Sequence, residues 1–127
     1  MSPRFLNVER VLRLHSDLIA HYWGTPGVRD TGLLVSAISQ PMAMFGGEFL
    51  HADLFEMAAA YLFHIVSNHP FLDGNKRTGA AAAVVFLALN DVELAADEAG
   101  LVGITLGVAT GATKKAQVAE FFRSLAE

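Results

Sequence analysis

Along the first part of the chain, apolar positions recur at helical spacing. Val8, Val11, Leu12, His15, Leu18, Ile19 and Tyr22 mark one face, and Asn7 can cap its start. Trp23-Gly24-Thr25-Pro26-Gly27 breaks that pattern. Asp30 or Thr31 can open a short second helix through Leu33, Leu34, Ala37 and Ile38, which Pro41 closes. Met42–His51 reads differently: two short apolar arms, MAMF and EFLH, flank Gly46-Gly47 and predict a hairpin too short to stand alone.

Asp53-x-x-Glu56 has the form of a capping box, and the helix predicted after it, to about Asn68, is apolar on most faces. Such a helix belongs at the centre of its domain. His69–Asn75 is a predicted loop containing Pro70 and Gly74. Lys76–Leu89 is a second, nearly all-apolar helix whose alanines permit close packing, with Asn90 as an expected left-handed cap. Gly100, Gly103, Gly107 and Gly111 suggest a helix with a small face pressed against a neighbour. A last helix, Lys114 to Leu125, places Val118, Phe121, Phe122 and Leu125 on one side. The expectation is an all-α fold, one compact helical domain over residues 1–127, with a short β-hairpin.

Composition narrows the function. Hydrophobic residues make up 53% and charged residues 17% of the chain, which excludes intrinsic disorder. The net charge is −4, with no basic stripe, so nucleic acid is not an expected ligand. Without cysteine there is neither a disulfide framework nor thiolate chemistry. No apolar run reaches the ~20 residues that span a bilayer, and the N-terminus lacks a secretory pattern. A cytoplasmic protein with no membrane partner is expected.

One segment carries chemistry: His69-Pro70-Phe71-Leu72-Asp73-Gly74-Asn75-Lys76-Arg77-Thr78-Gly79. It sets an imidazole, a carboxylate, an amide and two cations between two almost uncharged helices. Its second half opens the Ala-rich helix, whose first-turn N–H groups lack internal partners and favour an anion. Gly74 lets the backbone approach a phosphate. Lys76 and Arg77 add full charges at the helix end where cations are unfavourable, and a bound polyphosphate explains them. Asp73 suits Mg²⁺, which takes one or two carboxylates plus phosphate oxygens. His69 is placed as a general base. These are the parts of phosphoryl or nucleotidyl transfer.

Each residue also has an ordinary reading. His69 could cap a helix, Asp73-Gly74 could be a simple turn, and Lys76 and Arg77 could be solvated charges. Phe45, Phe49 and Leu50 of the hairpin suit the core as well as they suit target docking. His15, His21, His51 and His64 show no metal-ligand spacing and read as structural or incidental.

HPFLDGNKRTG resembles the motif of the Fic/Doc family, H-x-F-x-(D/E)-G-N-x-R. YWGTPGVRD, the Met42–His51 hairpin, DLFEMAAAYLF and LVGITLGVATG are also similar to its Doc (death-on-curing) branch. That resemblance implies an all-helical Fic fold in which the hairpin is a flap that positions the target. AMP-transferring members resemble G-N-G-R-x-x-R, whereas this chain has Lys76 and Ala80 at the second Gly and second Arg. Doc shares the departure and is understood as a kinase of a threonine in translation elongation factor Tu. The implied roles are His69 activating the hydroxyl, Asp73 holding Mg²⁺, and Gly74, Asn75, Lys76, Arg77 and Thr78 receiving the phosphates of ATP. Gly74 is more typical of the AMP-transferring members than of Doc, so AMP transfer stays open, as does a silent nucleotide- or partner-binding module. No Ser or Thr is followed four residues later by Glu, so the inhibitory motif of some members is missing. The resemblance then implies a cognate antitoxin whose C-terminal helix lies in a groove.

Overall fold

The computed structural model describes residues 2–127. The helices are α1 (Val8–Tyr22), α2 (Thr31–Ser39), α3 (Leu54–Asn68), α4 (Asn75–Leu89), α5 (Glu98–Thr110) and α6 (Lys115–Leu125). A 3₁₀ turn (Gln40–Met42) and a hairpin of β1 (Met44–Phe45) with β2 (Glu48–Phe49) lie between α2 and α3. The fold is all-α with a small antiparallel hairpin. Among the described residues no helix is long and apolar enough to cross a membrane.

Local chemistry sets the helix starts. The side chains of Asn7, Asp30, Asp53 and Asp97 each accept the backbone N–H three residues on, at 2.8–2.9 Å. Glu56 reaches back to the N–H of Ala52 rather than that of Asp53, a displaced version of the expected capping box. In the hairpin, Gly46 and Gly47 have φ of +60° and +81°, as a tight two-residue connection demands.

Helix α3 occupies the centre, packed by α2, α4, α5 and α6. Tyr61, Leu62 and Ile65 bury fully among Phe71, Phe86 and Phe122. Tyr61 keeps a polar partner there: its hydroxyl accepts the N–H of Leu6 at 2.8 Å, and burial pushes its pKa up to about 12. The contact of α3 with α4 depends on Gly79. A Cβ at that position would stand 2.8 Å from Val66 Cγ2 and 3.1 Å from the Leu62 carbonyl oxygen. The chain brings two helices together where a single methyl group would hold them apart.

Three expectations change. Asn90 is not left-handed (φ −103°); Asp91 is, at φ +64°. The Asn90 amide instead bonds to the N–H and carbonyl of Arg4, tying the N-terminal segment to the end of α4. The glycines of α5 are packed only in part: a Cβ on Gly100 would stand 2.8 Å from Phe121 Cε1 of α6. A Cβ on Gly103 meets open space, Gly107 abuts Thr113 of the following turn, and Gly111 is the left-handed cap. In the hairpin, Phe49 packs on Phe5 with ring centroids 5.6 Å apart, whereas Phe45 and Leu50 face solvent.

Candidate active site

The motif loop begins where α3 ends. His69 closes that helix in a left-handed conformation (φ 53°, ψ 53°), which lifts its imidazole into solvent. Arg29 clamps the helix end: its Nε donates to the His69 carbonyl at 2.7 Å and its Nη2 to the Asn68 carbonyl at 3.0 Å. A cation on the last carbonyls also suits the negative end of the α3 dipole.

The connector between α1 and α2 runs alongside the loop. Arg29 and Asp30 both donate their N–H groups to the Pro70 carbonyl, and the Leu72 N–H donates to the Gly27 carbonyl. Val28 and Phe71 form an antiparallel bridge. The loop is therefore held by backbone hydrogen bonds over most of its length.

Phe71 is fully buried and anchors the loop as expected. Its N–H donates to Asn75 Oδ1 at 2.9 Å, and its carbonyl accepts from Asn75 Nδ2 at 3.0 Å. The His15 ring lies on the Phe71 ring, 3.8 Å between centroids and 6° from parallel. His15 Nε2–H donates to the Asp73 carbonyl at 2.8 Å. This buried histidine supports the motif from α1.

Asp73 presents its carboxylate to solvent. Thr25 N–H donates to Oδ2 at 3.1 Å and Gly74 N–H to Oδ1 at 2.8 Å. The Thr25 and Gly74 N–H groups hold its pKa below the ordinary carboxylate value. Each oxygen keeps a lone pair for a further partner. One ionised, accessible carboxylate is the donor that Mg²⁺ takes when phosphate oxygens and water complete its shell. Asp73 fits that ion, and among the described residues no cluster of three or more His, Asp or Glu side chains offers a cage for one.

Gly74 adopts φ +76° and turns the chain into α4. Thr78 N–H closes the first helical bond to the Gly74 carbonyl, which leaves the N–H groups of Asn75, Lys76 and Arg77 as the helix's open donors. Lys76 and Arg77 are exposed on that turn, and the Arg77 guanidinium lies 4.9 Å from the Tyr22 ring centroid. Two expected contacts need correction. The Asn75 side chain is buried and spends its amide on Phe71, so it can offer a phosphate only its backbone N–H. Thr78 is 0% exposed, with its N–H already used and its hydroxyl buried without a partner, so it has no surface to offer a ligand.

His69 thus ends α3, Asp73 and Gly74 lead into α4, and Lys76 and Arg77 lie on its first turn, with Arg77 close enough to Asp73 to help lower its pKa. The parts that sequence reasoning missed are His15, Thr25 and Arg29. Their contacts cross 58, 48 and 40 residues of sequence, beyond the reach of any local pattern.

A family model described as "Fic/DOC family" matches residues 5–87. The chain is 36% identical over 122 residues to "Protein kinase doc" of Escherichia phage P1, covering 96% of this chain and 95% of that protein. It is 46% identical over 76 residues to "Toxin Doc" of Mycolicibacterium smegmatis, covering 60% of this chain and 58% of that protein. With the motif seated between two central helices and the match running nearly the whole length of a relative, the chain belongs to the Fic/Doc family.

Proposed function

We propose that this protein is a Doc-like toxin that transfers the γ-phosphate of ATP to a hydroxyl of a target protein, by resemblance a threonine of translation elongation factor Tu. The observation that carries this reading is one exposed imidazole and one exposed, ionised carboxylate on the loop that opens α4, with two exposed cations on that helix's first turn. The near full-length similarity to a protein named a kinase supports the same choice.

In this mechanism the His69 imidazole takes the proton of the target hydroxyl as its oxygen attacks the γ-phosphorus, and ADP departs. The N–H groups of Asn75, Lys76 and Arg77, with the two cations, receive the charge that spreads over the phosphate oxygens. Asp73 would hold Mg²⁺, which supplies further neutralisation of that charge. Arg29 and His15 keep the loop still while this happens, which matters because small misplacements are costly.

AMP transfer is the second reading, favoured by Gly74 alone; Lys76 and Ala80 stand against it. The two differ in which phosphate moves. With elongation factor Tu as acceptor, label from γ-labelled ATP should enter protein, label from α-labelled ATP should not, and His69→Ala should lower transfer by about 10²–10⁴-fold. Transfer of the α-label would replace the kinase reading with AMP transfer. No transfer of either label would refute this acceptor.

Control is proposed to come from a cognate antitoxin. A groove of about 540 Å³ runs between α1, α4 and α5, lined by Leu18, Ala80, Val84, Val102 and Leu106, with Lys76, Arg77 and one acid, Glu98, also in its lining. Its apolar lining suits the anchors of an amphipathic helix, and its two cations suit acidic residues beside them. An antitoxin helix seated there would adjoin the anion site.

A further inference from the structure

Tyr22 and Trp23 end α1 beside the motif, and the mechanism above gives Trp23 no task. Its backbone has φ 72° and ψ 162°, a combination essentially confined to glycine. The next two residues explain the shape. Gly24 sits where a Cβ would come within 2.8 Å of Ile19 Cδ1 and 2.9 Å of Asp73 Oδ2. From there the Thr25 N–H reaches the Asp73 carboxylate. The helix must therefore stop abruptly at residue 23, and glycine would do so without strain. The chain instead places its only tryptophan there, 86% exposed. Packing within the chain accounts for neither the residue nor its strain.

The surroundings name the ligand. Tyr22 lies under the Arg77 guanidinium, and Arg77 belongs with Lys76 to the first turn of α4, whose N–H groups are open. A ligand drawn to those groups carries phosphate. A ligand that also covers an indole carries a flat ring. A nucleotide has both; a free phosphate or an acidic peptide has only the negative charge.

We propose that Trp23 is the platform on which the base of the nucleotide stacks, a subsite joined to the phosphate site through Tyr22 and Arg77. The proposal rests on the nucleotide-transfer reading and adds where the base goes. Because every base has a π-face, such a platform tolerates guanine as well as adenine.

A single tryptophan makes the test direct. The full chain is titrated with Mg²⁺ and a non-hydrolysable ATP analogue, a GTP analogue or tripolyphosphate, following tryptophan fluorescence and calorimetry in parallel. Both nucleotides should quench the fluorescence with the calorimetric Kd, and tripolyphosphate should bind without quenching. Trp23→Gly, which suits the backbone and removes only an exposed ring, should weaken nucleotide about tenfold and leave tripolyphosphate unchanged. Trp23→Phe should recover most of the loss. A wild-type nucleotide Kd in Trp23→Gly overturns the subsite whatever the fluorescence does. So does unmoved fluorescence at saturating nucleotide, and in either case the transferase reading stands. No calorimetric binding of nucleotide at millimolar concentration overturns both.

Discussion

His15 shows how a residue without chemistry of its own serves a site. It fills the space between α1 and the motif with two different interactions, a ring stack on Phe71 and an N–H donated to the Asp73 carbonyl. The donated bond fixes the peptide immediately before Gly74, so it aims both the Asp73 side chain and the start of α4. Two substitutions separate the interactions. His15→Gln keeps a donor near the Nε2 position, and His15→Phe keeps the stack but strands a buried carbonyl, at about 1–3 kcal/mol. The expected outcome is that His15→Phe loses kcat by about tenfold or more with a smaller change in the KM for ATP, and that His15→Gln regains most of it. Steady-state kinetics at a temperature where both variants are folded checks this; a larger loss in His15→Gln than in His15→Phe would assign the effect to stacking. That α1 carries a histidine on its apolar face is plain from sequence. That its partner lies 58 residues away is not, because nothing local to either residue encodes the meeting.

At the scale of elements, the site depends on how closely α3 and α4 approach. The loop joining them has its ends fixed by that packing, and at Gly79 the two helices leave no room for a Cβ. Gly79→Ala would raise the helix propensity of α4 by about 1 kcal/mol. It would also press a methyl group against Val66 and the backbone carbonyl of Leu62, which cannot swing aside. Overpacking of this kind costs about 1–3 kcal/mol and outweighs the propensity gain. A net loss of stability is therefore expected in denaturant titration, with transfer activity falling as the loop ends shift. An unchanged midpoint would show that α4 can slide along α3. The flap follows a different rule. Gly46-Gly47 sets its turn locally, so its existence was legible in sequence, whereas the division of Phe49 inward and Phe45 outward depends on where Phe5 lies.

The whole molecule carries a second group of titratable side chains on the far side of α3. Lys115 at the start of α6 donates to His64 Nε2 at 3.1 Å, and His51, buried after β2, faces the same cluster with Glu56. Burial, with help from Lys115 and His51, pushes His64 down to about 4 from its ordinary 6.5; burial and then Lys115 lower His51 as well. Below pH 6.5 the unfolded chain takes a proton that folded His64 refuses until about pH 4. Stability is thus complete above pH 6.5 and falls as pH drops toward 4. Thermal unfolding between pH 7.5 and 4.5 should show a falling Tm, and His64→Gln should flatten part of the slope. A slope unchanged in that variant would place the dependence on other groups.

By itself the amino-acid sequence determined the helices, the hairpin turn and the motif, because caps, periodicity and Gly-Gly signals act within a few residues. It also singled out His69, Asp73, Lys76 and Arg77, which the structure leaves exposed. The tertiary structure decided which motif residues face the solvent. Asn75 and Thr78 look like ligands in a linear motif, yet the rotation of α4 against α3 turns both inward, one to brace Phe71 and the other into the core. It likewise decided which α5 glycines are packed: Gly100 is pressed by Phe121 and Gly107 by Thr113, whereas Gly103 is open, since a small face is pressed only where a neighbour stands opposite. Arg29, Thr25 and His15 became parts of the site for the same reason: each is brought to the loop by chain folding over tens of residues, and hydrogen-bond partners at that separation leave no mark on local pattern.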